Sequence, residues 1–207
     1  MLLSVDNLSV SRGGKSLFEG LNFTVSSGQF VSINGGNGIG KTTLLRSIAG
    51  LQPIDKGKIL VDTDNFIFSG DSNGVKTALT VVENLRFWSA IFGRKKTLQE
   101  ALEVFHLKKF ENRFAGKLSA GQKRRLSLAR LLLADKPIWL LDEPTVSLDK
   151  KSKEEFSEVL KRHLEAGGAA VVATHIDLGL KKRSLTINIE DYRTKSGNLN
   201  ASAGAFL

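Results

Sequence analysis

The chain has 207 residues, of which 41% are hydrophobic, a formal net charge of +9 and no cysteine. This length favours one domain or one core with an inserted lobe, and the lack of cysteine excludes disulfides, Cys-ligated zinc and thiol catalysis. The positive charge has three explanations, namely a nucleic-acid partner, an anionic membrane face or solubility, and the few aromatic residues (7%) argue against the first.

The first 34 residues are predicted to form short strands separated by turns. The start, MLLSVDNLSV, lacks the basic-then-apolar layout of a signal peptide, so we expect it to belong to the fold. LLSV, the alternating LNFTV and QFVSIN have strand-like patterns, and the polar stretch NLSVSRGGKS separates the first two. KILVD, after the turn DKGK, is a further strand. The pattern predicts an α/β core with an antiparallel edge.

The segment GGNGIGKT, residues 35–42, follows the strand FVSIN and precedes the helix TLLRSIAGL. A glycine-rich loop in this context lets successive backbone N–H groups point at phosphates, and the helix N-terminus attracts negative charge. We therefore predict a nucleotide-binding loop, in which Lys41 neutralises the β- and γ-phosphates and the Thr42 hydroxyl ligates Mg²⁺. The residues of this loop are Gly35, Gly36, Asn37, Gly38, Ile39, Gly40, Lys41, Thr42 and Thr43.

The character of the sequence changes after the first strands, at about residue 71. Apolar residues recur at helical spacing in TVVENLRFWSAIF and TLQEALEVFHLKKF, and we expect an inserted helical lobe at about residues 72–125. LSLARLLLA, PIWLLDE, KKSKEEFSEVLKRHL and AAVVATH then alternate between helix and apolar strand, which predicts a parallel sheet. Residues from about 191 to 207 are small and polar and are predicted to form a flexible tail within a single domain of residues 1–207.

The apolar strand IWLLDE ends in two carboxylates, Asp142 and Glu143. Beside a phosphate loop, Asp142 is suited to hold a magnesium ion. Because side chains alternate along a strand, we expect Glu143 to point elsewhere and to polarise an attacking water, with a capping role as the alternative. His175 closes a third strand, and ligands gather at the carboxyl ends of such strands, which favours a γ-phosphate contact. His106 and His163 lie on predicted helices and are interpreted as structural.

A second glycine-containing turn, LSAGQ at residues 118–122, opens a basic helix. In the order GGNGIGKT, LSAGQ, IWLLDE, SLD and His175, the motifs resemble the nucleotide-binding subunits of ATP-binding cassette (ABC) transporters, whose signature motif is normally LSGGQ. The resemblance covers nearly the whole chain. It implies an α/β P-loop NTPase fold of the ABC type: a mixed sheet with a parallel core, an antiparallel edge subdomain and an inserted helical lobe.

The same resemblance implies a functional dimer in which two subunits sandwich two ATP molecules head to tail. Each ATP lies on the phosphate loop of one subunit and contacts the signature residues of the other. A serine hydroxyl, backbone N–H groups and a helix N-terminus are suitable donors to a γ-phosphate. The implied signature residues are Ser119, Ala120, Gly121 and Gln122, the D-loop residues are Ser147, Leu148 and Asp149, and the catalytic residues of ATP hydrolysis are Glu143 and His175.

Two positions depart from the family pattern. The aromatic residue that usually stacks on adenine is missing, and the corresponding place in SVSRGG offers Arg12, whose guanidinium plane can stack on a base. Counting back from LTVVEN puts Asp71 at the position of the family's Q-loop glutamine. An aspartate can ligate Mg²⁺ directly but is shorter, so we expect Asp71→Gln to keep ATP binding and to alter turnover.

Several stretches, among them GVKTALTVVENLRFW and LSAGQKRRLSLARLLLADKPIWLLDEPTVSLD, resemble one branch of the family, the ATP-binding subunits of haem-exporter complexes in cytochrome c maturation. No apolar run reaches the roughly 18 residues of a membrane-spanning helix, so separate integral membrane permease subunits are expected. The branch implies a subunit that lies peripherally on an anionic inner membrane, at the cytoplasmic face in bacteria or the matrix face in mitochondria.

Three alternatives are compatible with these motifs. The chain could serve another importer or exporter with the same chemistry. It could be a cassette ATPase that clamps DNA or a ribosome, but such relatives insert long coiled coils or fuse two cassettes, and neither is found in the 207 residues, so no nucleic acid is expected. It could bind ATP without hydrolysis, which the presence of Lys41, Asp142, Glu143 and His175 opposes.

Overall fold

The computed structural model describes residues 1–70, 74–92, 98–176, 178–180 and 184–193. This part of the chain contains two β-sheets and five α-helices. The strands are β1 (Leu3–Arg12), β2 (Lys15–Val25), β3 (Phe30–Asn34), β4 (Lys56–Val61), β5 (Phe66–Ser69), β6 (Ile138–Asp142), β7 (Ala169–Ala173) and β8 (Ser184–Asn188). The helices are α1 (Lys41–Ile48), α2 (Val81–Phe92), α3 (Leu98–Val104), α4 (Ala120–Ala134) and α5 (Lys150–Glu165).

The larger sheet has the strand order β5-β6-β7-β3-β8, and all of its neighbouring strands are parallel. Every residue of β6 and β7 is buried, because α1 covers one face of the sheet and α4 and α5 cover the other. A strand buried on both faces reads as a continuous apolar run, as IWLLD and AAVVA do. The carboxyl ends of β3, β6 and β7 therefore meet at one edge, where the predicted phosphate loop, acidic residues and His175 follow them.

The smaller sheet is antiparallel, in the order β2-β1-β4, and is separate from the parallel sheet. The predicted parallel core and antiparallel edge are thus both present, as two sheets. The polar stretch predicted to separate two strands does so only at Gly13 and Gly14: β1 continues past Asn7 to Arg12, and β2 begins at Lys15. Asn7 has a φ of 47° and the register shifts beside it, so Leu8 and Val10 both reach the core. A bulge of this kind changes the face of the sheet on which the following side chains lie, so the alternation of apolar and polar residues is interrupted in the sequence.

The inserted segment forms α2 and α3, which pack on α4 through fully buried residues such as Leu85, Leu102 and Leu128. The helix predicted from TLQEALEVFHLKKF is shorter than its apolar pattern. It ends at Val104 and the chain turns at His106, which has a φ of 51°. The Leu107 N–H then donates to the Leu102 carbonyl at 2.7 Å, a Schellman-type end that satisfies the last carbonyls. His106 was predicted on a helix and lies in this turn instead.

After β8 the chain forms a 3₁₀ turn, Ile189–Tyr192, in which Ile189 is buried. Tyr192 packs against the core beside the antiparallel sheet. The turn extends past the predicted start of the tail at about residue 191, and residues 194–207 lie outside the described residues. Among the helices of the described ranges, none has the length and apolar character needed to cross a membrane.

Candidate functional site

The phosphate loop connects β3 to α1. At two of its positions the backbone has a conformation that only glycine adopts easily. Gly35 has a φ of 140°, and a Cβ there would lie 2.9 Å from Ile39 Cγ2. Gly40 has a φ of 118°, and a Cβ there would lie 3.3 Å from Phe18 Cδ1 and 3.4 Å from Leu17. Because these are left-handed conformations in close contact with neighbours, side chains at both positions would distort the loop.

Lys41 lies inside the loop, with only 7% of its surface exposed. Its Nζ donates to the carbonyl oxygens of Gly35 at 2.7 Å and Gly36 at 3.0 Å. The ammonium group is therefore at the centre of the curve and 2.9 Å from His175 Nε2. A buried cation surrounded by backbone groups at a helix N-terminus is a suitable site for a phosphate.

The loop is joined to the acidic strand by a direct hydrogen bond. The Thr42 hydroxyl donates to Asp142 Oδ2 at 2.7 Å, and Asp142 is the last residue of β6 and only 2% exposed. A hydroxyl and a carboxylate are oxygen ligands of the kind that Mg²⁺ prefers, with water and substrate phosphates completing its shell. Within the described ranges no cluster of three or more His, Cys, Asp or Glu side chains could hold a metal alone.

Glu143 does not point away from Asp142, as strand alternation predicts. The strand ends at Asp142, and Glu143 has a φ of 43°. This left-handed turn directs both carboxylates toward the phosphate loop, so the predicted orientation was wrong. Glu143 Oε1 is 3.5 Å from His175 Nε2, and the same imidazole nitrogen is 3.2 Å from Asn37 Oδ1. Lys41, Glu143 and His175 therefore converge on one point.

A cavity of about 220 Å³ lies over the loop. It is lined by Arg12, Leu17, Asn37, Gly38, Gly40, Lys41, Thr42, Thr43, Asp142 and Glu143. Arg12 is exposed at the hairpin end of β1, where it faces Lys15 across the strand pair. Leu17 was missed by sequence reasoning, because its place beside Gly40 depends on how β2 packs against the loop. Arg12 and Leu17 both line the cavity.

The signature residues lie elsewhere on the chain and do not line this cavity. Ser119 is the exposed N-cap of α4: its hydroxyl accepts from the Gln122 N–H at 3.2 Å, and the Gln122 side chain accepts from the Ser119 N–H at 3.0 Å. This capping box fixes the turn that opens the basic helix. Ala120, which replaces the first glycine of the usual motif, is exposed.

The signature turn contacts the D-loop of the same chain. A Cβ at Gly121 would lie 2.8 Å from the Ser147 carbonyl oxygen, and Ser147 has a φ of 67°. Leu148 is buried in the core. Asp149 caps α5 by accepting from the Ser152 N–H at 2.8 Å, and this backbone hydrogen bond is the main cause that lowers the pKa of Asp149. Asp71, the predicted Q-loop position, lies outside the described residues.

Two further residues contact the site and were not predicted. Glu190 Oε1 accepts from the Gly36 N–H at 3.0 Å and so holds the start of the phosphate loop. Arg124, on α4, is buried and donates to backbone carbonyls at the ends of β5 and β6. In the sequence, Arg124 is one of several cations in a basic run. A helical pattern does not distinguish it from its neighbours.

Residues 18–146 match the family model described as ABC transporter. The chain is 48% identical to a cytochrome c biogenesis ATP-binding export protein CcmA of Ruegeria pomeroyi over 207 residues, 100% of each chain. It is 53% identical to CcmA of Paracoccus denitrificans over 184 residues, 89% of this chain and 87% of the other.

Solved structures with a similar fold are also ATP-binding proteins. A putative ABC transporter ATP-binding protein from Pyrococcus furiosus has a TM-score of 0.81 at 27% identity, covering 93% of this chain and 99% of the other. A dimeric ATP-binding cassette in a post-hydrolysis state, bound to ADP and phosphate, has a TM-score of 0.78 at 26% identity, covering 91% of this chain and 97% of the other.

Proposed function

Because the chain belongs to the ABC transporter family, and within it to the cytochrome c biogenesis ATP-binding export proteins, we propose that it drives haem export or delivery for cytochrome c maturation. It is the nucleotide-binding ATPase subunit of an exporter. The observation that carries its chemistry is the Thr42–Asp142 hydrogen bond of 2.7 Å, which joins the phosphate loop and the acidic strand in one site. The assignment of haem as the cargo is based on the full-length similarity to CcmA.

We assign nucleotide binding to the phosphate loop. Backbone N–H groups from Gly38 to Thr43 would cradle the phosphates at the start of α1. Lys41 Nζ, which now donates to two loop carbonyls, would donate to β- and γ-phosphate oxygens instead. Arg12 and Leu17 would support the base, by stacking of the guanidinium plane and by apolar contact respectively.

Thr42 and Asp142 are the residues that would hold Mg²⁺, and the ion would neutralise charge on the phosphate oxygens during transfer. Glu143 would accept a proton from the attacking water, because its carboxylate faces the same cavity as Lys41. His175 would contact the γ-phosphate. Its imidazole already lies within 3.5 Å of Glu143 and 2.9 Å of Lys41.

We propose that a second copy of the chain completes the site. Ser119 and Gly121 do not line the cavity of their own chain, whereas Ser119 is exposed at a helix N-terminus that can donate to an anion. The dimeric cassette of similar fold that binds ADP and phosphate supports this arrangement. Loss of the shared γ-phosphate would then allow the two subunits to separate.

Haem would be handled by membrane partners rather than by this chain. Each of its three histidines has a contact within the fold: His106 with Glu155 at 2.7 Å, His163 with the Ala169 carbonyl at 3.2 Å, and His175 with Lys41. We propose a peripheral position against integral permease subunits of the haem-handling complex, on the cytoplasmic or matrix face of an inner membrane. The charge of +9 suits an anionic lipid surface.

The proposal is tested by a tagged pull-down from detergent-solubilised membranes, with identification of the copurifying proteins and an absorbance scan for haem. We expect small integral membrane proteins together with a haem-carrying partner. A different permease without haem would refute the cargo and keep the ATPase assignment. Ribosomal proteins or DNA without any membrane subunit would refute the transporter role.

A further inference from the structure

A buried guanidinium links the acidic strand to the signature helix. Arg124 is only 3% exposed. Its Nε donates to the Pro144 carbonyl at 2.9 Å, and its Nη2 donates to the carbonyls of Asp142 at 2.9 Å and Glu143 at 2.7 Å. Its Nη1 donates to the carbonyl of Gly70, at the end of β5, at 3.1 Å. One side chain therefore joins α4 to the carboxyl ends of two neighbouring strands.

These bonds act at a residue whose backbone conformation is unfavourable. Glu143 has a φ of 43°, a region that non-glycine residues adopt only when their surroundings impose it. Its N–H donates to the Ala173 carbonyl at 2.8 Å, and its own carbonyl accepts from Arg124. The peptide groups on both sides of the Glu143 Cα are thus fixed, one by β7 and the other by Arg124. Together they set the direction of the Glu143 side chain toward the phosphate loop.

We propose that Arg124 is a positioning residue for ATP hydrolysis, which holds Glu143 in its left-handed conformation and ties it to the helix that carries the signature motif. The inference rests on the proposed role of Glu143. Arg124 lies in the second turn of α4, whose N-cap is Ser119. In the proposed dimer, Ser119 contacts the nucleotide of the partner site. A shift of α4 on nucleotide binding at one site would therefore be transmitted to Glu143 of the other.

Planar, branched donors are needed for this contact. Arginine presents five N–H groups in a fixed arrangement, whereas lysine presents a single flexible ammonium. Lysine at position 124 would keep a buried positive charge but would not span the carbonyls of Gly70, Glu143 and Pro144. Arg124→Lys therefore distinguishes a role in positioning Glu143 from a role that needs only the positive charge.

The experiment compares Arg124→Lys and Arg124→Met with Arg130→Met in the full chain, assayed in the complex that copurifies with it from membranes. Arg130 is a matched control: it is on the same helix, 7% exposed, and makes one long hydrogen bond to the Phe68 carbonyl, at 3.4 Å. Its guanidinium lies 5.2 Å above the Trp88 ring. We expect both Arg124 variants to lower kcat on the order of 100-fold while KM for ATP changes by less than about threefold. Arg130→Met should lower Tm and keep kcat per folded molecule.

A double variant tests whether Arg124 acts through Glu143. If it does, Arg124→Lys should cause little further loss of turnover in a Glu143→Gln background. A folded Arg124→Lys protein with wild-type kcat, or a loss of turnover equal to that of Arg130→Met, would overturn the inference while leaving the role of Glu143 intact. Wild-type turnover by Glu143→Gln alone would instead refute the proposed role of Glu143, and with it the inference.

Discussion

Lys41 shows how the phosphate loop is prepared for its ligand. Its ammonium group is held by two carbonyls of its own loop, at 2.7 and 3.0 Å, and it is nearly buried. The charge is already desolvated, so the proposed replacement of the carbonyls by phosphate oxygens would need little reorganisation. Asn37 and Glu143 reach the same point from the loop and from the acidic strand, through His175.

Replacement of this lysine tests the phosphate contact. We expect Lys41→Met to weaken ATP binding by about 2 kcal/mol, roughly 30-fold in Kd, because a charge-assisted hydrogen bond is lost. A titration with a fluorescent ATP analogue measures this change. Lys108→Met is the control, since Lys108 is exposed and pairs with Glu111. Equal affinity of the Lys41 variant and the control would contradict the assigned contact.

At the scale of elements, the N-terminus of α4 and the turn before α5 contact each other closely. The carbonyl of Ser147 leaves no room for a side chain at Gly121, whereas Ala120 is exposed. The two middle positions of LSAGQ therefore differ in what they tolerate. The signature turn can change at its first small residue without moving the D-loop, but cannot change at the second.

This difference predicts unequal effects of single methyl groups. Gly121→Ala should displace the D-loop and destabilise the fold by about 1–3 kcal/mol, as overpacking does. Ala120→Gly should change stability by less than about 1 kcal/mol, the cost of a glycine in the first turn. Thermal unfolding of both variants checks the prediction. If Gly121→Ala were as stable as wild type, the space between residue 121 and the Ser147 carbonyl would be large enough for a methyl group, and the prediction would be wrong.

A second contact between elements joins α5 to β6. The imidazole of His163 stacks on Trp139, with ring centroids 3.9 Å apart, and a Cβ at Gly168 would overlap the imidazole ring. Burial is the main cause that lowers the pKa of His163, against the raising effect of hydrogen bonds to the carbonyls of Ala169 and Pro137. The folded state therefore favours the neutral ring.

The lowered pKa of His163 gives a pH dependence whose sign is fixed. Below about pH 6.5 the unfolded chain binds a proton that the folded chain resists, so this contribution is present above the unfolded pKa and is lost as the pH falls toward the folded pKa. We expect His163→Phe, which keeps the stacked ring, to lose less unfolding free energy than wild type between pH 7 and pH 5. Urea unfolding across this range measures both slopes, and parallel slopes would contradict the prediction.

At the scale of the whole molecule, the local motifs were predictable and their three-dimensional relations were less so. The phosphate loop is a contiguous segment between a strand and a helix, so its conformation can be predicted from the local sequence. The direction of Glu143 was not predictable, because one positive φ past the end of β6 reverses the strand rule. Leu17 and Arg124 contact segments that are distant in the sequence, and no helical or strand period reveals such contacts.

For the secondary-structure elements, likewise, most of the elements could be predicted from local sequence patterns, but where some of them end could not. The strands β1 to β4, β6 and β7 and the main helices were predicted from apolar periods, and the parallel sheet follows from their alternation. The two edge strands of that sheet, β5 and β8, were not predicted. The continuation of β1 past Asn7 and the early end of α3 before His106 were not predicted. In both places a non-glycine residue adopts a left-handed conformation, which tertiary packing and backbone hydrogen bonds stabilise without a glycine signal in the sequence.

The most direct measurement is ATP turnover by the membrane complex with wild-type chain, Glu143→Gln, and Glu154→Gln as a control on the exposed face of α5. If Glu143 accepts the proton of the attacking water, as proposed, loss of its carboxylate should lower kcat by about 100-fold or more. ATP binding and the behaviour of the Glu154 variant should not change. Turnover by Glu143→Gln at the wild-type rate would contradict the account of an ATP-hydrolysing site built on the phosphate loop and the acidic strand.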